Sequence, residues 1–234
     1  MSMSHTARRS AGVRVAAIIP ALDEERSIAA AIASLPPDLV DSVIVVDGGS
    51  CDATVDRATG AGAVVVHERR RGYGRACLSG AEAADGAQVL LFMDGDGCDF
   101  GEQAHRLVEP IISWHADLVL GSRVLGRRER GALAPHQTAG NRLVASILNR
   151  RFRLHLTDIG PFRAIRADLL HELALREMTY GWPTEMIRNA ARCGGRVIEV
   201  PVDYRRRAAG QSKVSGNLRA SAKAGWHMLR VAAG

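Results

Sequence analysis

Leu90-Leu91-Phe92-Met93-Asp94-Gly95-Asp96 decides how the rest of this chain is read. An apolar run breaks abruptly into two carboxylates separated by one glycine. A continuous hydrophobic run of this length reads as a strand buried on both faces. Side chains at its carboxyl end would then open into the crevice where open α/β sheets bind ligands. Two carboxylates that close repel each other unless a cation or a shared proton relieves them. Hard oxygen ligands suit Mg2+ or Mn2+, above all when substrate phosphates complete the coordination shell. The structural alternative is a turn that merely uses Asp and Gly. Asp99 lies near enough to assist, although spacing alone does not make it a ligand.

Working outward, short apolar runs alternate with helical stretches. Strands are expected at Val13–Ile19, stopped by Pro20, and at Ser42–Val46, Ala63–Val66, Gln88–Met93, Asp117–Leu120 and Arg196–Pro201. Helices are expected from Asp23-Glu24-Glu25 to Pro36-Pro37, from Asp52, after Arg71-Gly72-Tyr73-Gly74-Arg75 to about Ala84, and over Gly101–Ser113, Gln137–Asn149, Asp168–Glu177 and Tyr180–Arg192. This alternation implies βαβ units and a mostly parallel sheet. Residues 1–12 read as a flexible N-terminus and 216–234 as an amphipathic C-terminal helix. Leu218, Trp226, Met228, Leu229 and Val231 supply its apolar side, and Arg219, Lys223 and Arg230 its charge. Such a helix could lie on an anionic membrane, pack on its own domain, or pair with a second copy in a homodimer.

The net charge is +6, and the only lysines are Lys213 and Lys223. From Arg205 to the C-terminus there are basic residues and no acids. Such asymmetry suits nucleic acid, anionic lipid or a phosphorylated substrate. Nucleic acid is disfavoured, because no base-reading motif appears and the aromatics are sparse. The run Arg205-Arg206-Arg207 reads by itself as a solvated face. Cys51, Cys77, Cys98 and Cys193 are too dispersed for a metal cluster or a disulfide framework and are expected to be reduced. The polar N-terminus lacks a signal-peptide core, and no apolar segment reaches transmembrane length. The expected location is cytoplasmic, with peripheral contact at the cytoplasmic membrane face left open.

Asp47 ends a second apolar run, where its carboxylate could accept hydrogen bonds from a base or sugar, or simply hold a turn. The first strand leads into Pro20-Ala21-Leu22-Asp23, so the glycine-rich dinucleotide loop is missing, and no P-loop occurs. Arg123 and Arg163 follow loop-like breaks and could meet phosphate or make ordinary ion pairs.

Several blocks, in order, carry a resemblance: Ile18-Ile19-Pro20-Ala21-Leu22-Asp23-Glu24-Glu25, Val45-Val46-Asp47-Gly48-Gly49-Ser50, Arg71-Gly72-Tyr73-Gly74, Met93-Asp94-Gly95-Asp96 and Gly121-Ser122-Arg123. Asp158-Ile159-Gly160-Pro161-Phe162-Arg163-Ala164, Glu199-Val200-Pro201-Val202, Arg207 and Gly210-Gln211-Ser212-Lys213 extend it. Together they resemble the family 2 inverting glycosyltransferases. Within that family the closer likeness is to dolichyl-phosphate mannose synthases and bacterial polyprenyl-phosphate glycosyltransferases.

The resemblance implies a glycosyltransferase A-type nucleotide-sugar-binding fold over residues 13–215, with a nucleotide half at 13–123 and an acceptor half at 124–215. It places Pro20, Glu24, Asp47, Asp94 and Arg123 at a UDP-sugar or GDP-sugar, and Asp94 and Asp96 on Mg2+ or Mn2+. Arg123 and Lys213 would lie near the phosphates, Asp158 near the transfer site, and Arg163, Glu185 and Lys213 on the acceptor side. Asp96, Arg123, Asp158 and Lys213 form the implied catalytic set. Gly48 replaces a second acid that the family commonly carries, and Cys98 stands where relatives often have Gln. The implied reaction moves a hexose to a polyprenyl or dolichyl phosphate. A soluble or lipid hydroxyl acceptor is the alternative, and a non-catalytic nucleotide-sugar binder a second one. A neutral hydroxyl would make Asp158 a general-base candidate, whereas a phosphate acceptor needs only orientation.

Overall fold

The computed structural model describes residues 12–207 and 218–234. The strands are β1 (Val15–Ala21), β2 (Ser42–Asp47), β3 (Val64–His67), β4 (Val89–Phe92), β5 (Leu118–Ser122), β6 (Arg163–Arg166) and β7 (Val197–Pro201). The helices are α1 (Ile28–Ala33), α2 (Thr54–Gly60), α3 (Tyr73–Ala83), α4 (Ala104–Ile112), α5 (Pro135–Phe152), α6 (Ala167–Glu172), α7 (Trp182–Arg192) and α8 (Leu218–Ala233). The strands form one sheet in the order β3-β2-β1-β4-β6-β5-β7. Pairing is parallel except where β6 runs against β4 and β5. This is the expected glycosyltransferase A-type α/β fold with a mostly parallel central sheet.

Successive strand residues face opposite sides of the sheet, and the core divides accordingly. Ala16, Ile18, Ile44, Val46, Leu90, Phe92, Leu118 and Leu120 pack with Cys77 of α3, Val144 and Leu148 of α5, and Trp182 and Met186 of α7. Val15, Ala17, Ile19, Val45, Leu91 and Val119 pack with Ile28 of α1, Ala58 of α2, and Leu107 and Ile111 of α4. The central strands are therefore apolar on both faces, as a sheet covered on both sides requires.

Three sequence expectations needed correction. β1 does not stop at Pro20: pairing with β2 continues through Pro20 opposite Val46 to Ala21 opposite Asp47, while the ladder to β4 has already ended at Ile18 and Phe92. The helix expected over Asp168–Glu177 ends at Glu172, where the chain turns out through Ala174 at φ +45°, and the Glu185 carboxylate then accepts the Arg176 and Glu177 amides at 2.9 and 2.7 Å. The helix expected to start at Asp23 begins at Ile28 and has no acid in its first turn. Glu24 reaches Arg207 instead, while Asp23 and Glu25 accept from the Cys51 and Ala53 amides. The C-terminal helix α8 lies against α5 and α7, burying Ala224, Val231 and Ala232, while Trp226 stays exposed. Among the described residues no helix is long and apolar enough to cross a membrane.

Candidate active site

Since β1, β2, β4 and β5 run in one direction, the loops after them share one edge of the sheet. The strand order reverses its direction of growth between β1 and β4, which makes their carboxyl ends the topological switch point. Pro20 and Glu24 lie on one wall of that crevice, and Asp94 and Asp96 on the other.

The acid pair is set by its own loop. Gly97 adopts φ +72°, a conformation glycine reaches without steric cost, and the turn returns the Cys98 amide to Asp96 Oδ1 at 3.0 Å. Ser27 Oγ donates to the Gly95 carbonyl at 2.9 Å and ties the loop to the start of α1. Burial, and after it the charge of Asp96, push the Asp94 carboxyl up to about 7. Asp99 is buried, and neither of its oxygens has a hydrogen-bond partner among the described residues. Burial first, then the charges of Asp94 and Asp96, raise it well above the carboxylate range. Burial likewise raises the Cys98 thiol.

These residues suit a divalent ion that shares its shell with substrate. Among the described residues no group of three His, Cys, Asp or Glu side chains converges on one point. That leaves Asp94 and Asp96, and Mg2+ and Mn2+ are commonly held by one or two carboxylates plus substrate phosphates. A bound ion must displace the Asp94 proton. Apparent Mn2+ affinity is therefore expected to fall about tenfold per pH unit below pH 7 and to level off above about pH 8. Isothermal titration across that range checks it, and a flat profile would reject Asp94 as a ligand.

Arg207 stands between the walls. Its guanidinium reaches both Glu24 oxygens at 2.8 Å and Asp96 Oδ2 at 3.0 Å. The expectation of a solvated arginine run therefore holds only for Arg206, which is exposed. Arg205 donates to the Gly97 carbonyl at 2.8 Å and stacks on Phe100, 4.4 Å from its ring centroid. The signal available in the sequence was the position of Arg207 just ahead of the Gly210–Lys213 block. Lys213 itself lies outside the described residues.

Asp47 is buried and accepts from the amides of Gly49 at 3.1 Å and Ser50 at 3.0 Å, with His67 Nδ1 at 3.3 Å. Burial alone would raise its pKa, but these hydrogen bonds outweigh it and hold the carboxylate ionised. Asp47 therefore shapes the loop after β2. His67 at the end of β3 was not anticipated.

On the other side of the crevice, Asp158 and Arg123 form a buried two-pronged pair. Arg123 Nε donates to Oδ2 at 2.7 Å and a terminal nitrogen to Oδ1 at 2.9 Å. The carboxylate also accepts from the Arg123 amide at 3.2 Å, Asn141 Nδ2 at 2.8 Å and the Ile159 amide at 2.8 Å. Glu199 fixes this loop from below by accepting from the Thr157 and Asp158 amides. Arg123 further stacks 5.1 Å from the centre of the Tyr204 ring. Arg163 and Glu185 are also buried. Arg163 is 1% exposed and donates to the carbonyls of Gly160, Pro161 and Pro183. Glu185 is held by the Arg176 and Glu177 amides in the segment between α6 and α7. Both fasten the loops around the start of α7.

The chain resembles known proteins along nearly its whole length. Residues 16–174 match the profile described as Glycosyl transferase family 2. An uncharacterised glycosyltransferase of Mycobacterium tuberculosis is 38% identical over 90% of this chain and 94% of its own. An undecaprenyl-phosphate mannosyltransferase of Micrococcus luteus is 34% identical over 88% and 89%. Among solved structures, glucosyl-3-phosphoglycerate synthase of Mycobacterium tuberculosis with phosphoglyceric acid is 25% identical, covers 96% of this chain and 82% of its own, and has a TM-score of 0.74. The same enzyme with Mn2+ and UDP-glucose is 25% identical, covers 96% and 81%, and has a TM-score of 0.73.

These structures correct one expectation. The closer likeness to dolichyl-phosphate and polyprenyl-phosphate enzymes, and with it the lipid-phosphate acceptor, gives way. The solved enzyme that shares this fold over 96% of the chain holds a small water-soluble phosphorylated acid, and the likeness to the mannosyltransferase remains one of family. With the profile spanning most of the sheet and both walls of the crevice, the chain belongs to glycosyl transferase family 2 and is a nucleotide-sugar-dependent glycosyltransferase.

Proposed function

We propose that this enzyme transfers a glucose-type hexose from a UDP-sugar, with Mn2+, to a hydroxyl of a small soluble phosphorylated acceptor of the phosphoglycerate or glycerol phosphate class, releasing UDP and the hydroxyl proton. The observation that carries this reading is Asp94-Gly95-Asp96 at the switch point of a fold shared with a synthase solved with Mn2+, UDP-glucose and phosphoglyceric acid. When bound, the metal supplies charge neutralisation at the departing diphosphate. Asp94 and Asp96 hold it, and Glu24 and the Asp47 loop form the nucleotide wall.

Asp158 acts here by orientation. A carboxylate already accepting from Arg123, Asn141 and Ile159 has little capacity left to take a proton. Burial would raise its pKa, but the Arg123 charge and these hydrogen bonds bring it below the ordinary range. Its role is to aim Arg123 across the crevice, where the cation can meet phosphate on donor or acceptor.

The deciding experiment incubates the protein with radiolabelled UDP-glucose, Mn2+ and, separately, 3-phosphoglycerate, glycerol 3-phosphate and undecaprenyl phosphate. Label is expected in a water-soluble phosphorylated glycoside. Transfer only into the organic-extractable lipid, or no transfer to either small acceptor by folded protein, would overturn the proposal.

A further inference from the structure

β7 continues into a strap that doubles back over the loop carrying the acid pair. The Asp203 amide donates to Gln103 Oε1 at 2.7 Å, and Tyr204 bridges to Asp99. The Arg205 amide donates to the Cys98 carbonyl at 3.0 Å, and its side chain reaches Gly97. These contacts hold the strap in register and deliver Arg207 to the mouth of the crevice. Its side chain is 19% exposed there, between Glu24 and Asp96.

The oxygens of Asp96 differ in what holds them. Oδ1 accepts the Cys98 amide, a contact built into the turn. Oδ2 accepts the Arg207 guanidinium, a contact that a side-chain rotation can break. A divalent ion taking Asp96 as a ligand would meet the arginine at the more exchangeable oxygen. Two cations within a few ångströms of one carboxylate repel strongly in a partly buried site. A nucleotide diphosphate reverses this balance, because it brings enough negative charge for both.

We infer that Arg207 is the resident counter-ion of the donor crevice and competes with Mn2+ for Asp96. The metal then binds tightly only together with the nucleotide diphosphate. This inference rests on the proposed use of Mn2+ and a UDP-sugar. It gives the strap a function: it screens the acid pair in the empty enzyme and makes metal and nucleotide binding mutually reinforcing.

The test is a titration with Mn2+, with free ion followed by electron paramagnetic resonance, with and without UDP, on wild type, Arg207→Met and Arg207→Lys. Without UDP, Arg207→Met is expected to bind Mn2+ about tenfold more tightly than wild type, while Arg207→Lys, which keeps the charge, stays within about threefold. The gain on adding UDP is expected to be smaller in Arg207→Met than in wild type. Unchanged or weaker Mn2+ binding by folded Arg207→Met, verified by circular dichroism, would overturn the inference. Should that variant fail to fold, equal Mn2+ affinity of wild type with and without UDP would also overturn it. Failure of wild type to bind Mn2+ even with UDP would instead overturn the proposed function.

Discussion

Asp96→Asn is expected to lower kcat/KM for hexosyl transfer by about 10²–10³-fold, because removing one preorganised electrostatic contact at a developing charge typically costs that much. Stability should move differently. In the metal-free protein the Asp96 charge helps hold Asp94 above its ordinary pKa. A carboxyl whose folded pKa is raised weakens the fold most above that pKa, and the cost fades as pH falls from there toward the ordinary carboxylate pKa. Asparagine relieves part of this repulsion while Arg207 keeps both Glu24 contacts. The variant is thus expected to melt within about 2 °C of wild type at pH 8 without metal. It should also lose most of the thermal upshift that Mn2+ with UDP gives wild type. Near-wild-type turnover with an intact Mn2+ upshift would remove Asp96 from the metal site.

Three acids within six residues, Asp94, Asp96 and Asp99, meet unlike surroundings, and the difference marks where sequence reading stops. The strand before them was legible because Val89–Phe92 is apolar on both faces. The ionisation of each acid was not, since it depends on burial and on neighbours from other elements. Arg207 was the hardest to place, because its partners lie 111 and 183 positions away. Within a run of three arginines, only the position of Arg207 just ahead of the Gly210–Lys213 block distinguishes the one that turns inward.

β6 was invisible for a related reason. Arg163-Ala164-Ile165-Arg166 has neither a long apolar run nor clear alternation. It becomes a strand because Phe92 and Leu120 present open edges on either side of Arg163. The premature stop at Pro20 was a local rule overridden by the ladder to β2. By contrast β2, β3 and β5 were readable within one or two residues, because each is a short apolar run closed by a polar or glycine-containing turn. Acceptor class was least legible of all. The ordered blocks carry the family, whereas acceptor choice depends on the shape of loops that similar blocks can support in different ways.

Asp158→Asn is expected to destabilise the protein more than any change in the metal pair. Asparagine nearly preserves shape but leaves the Arg123 guanidinium buried without its counter-charge, and breaking a buried pair in this way costs about 3–5 kcal/mol. For a chain of this size that corresponds to a fall in Tm of roughly 6–20 °C. The pH dependence has a defined sign. The folded pKa of Asp158 lies below its unfolded value, so its contribution is fully present above pH of about 4 and is lost as pH falls through the folded pKa. Thermal melts from pH 8 to pH 3 should show a shallower acid slope in Asp158→Asn than in wild type. Combining the change with Arg123→Met tests the cause: the double variant should be less destabilised than the sum of the two single ones, because neither partner is then left charged and alone. Strict additivity would mean that Arg123 and Asp158 stabilise the fold through separate contacts, and that Asp158 does not aim the arginine into the crevice.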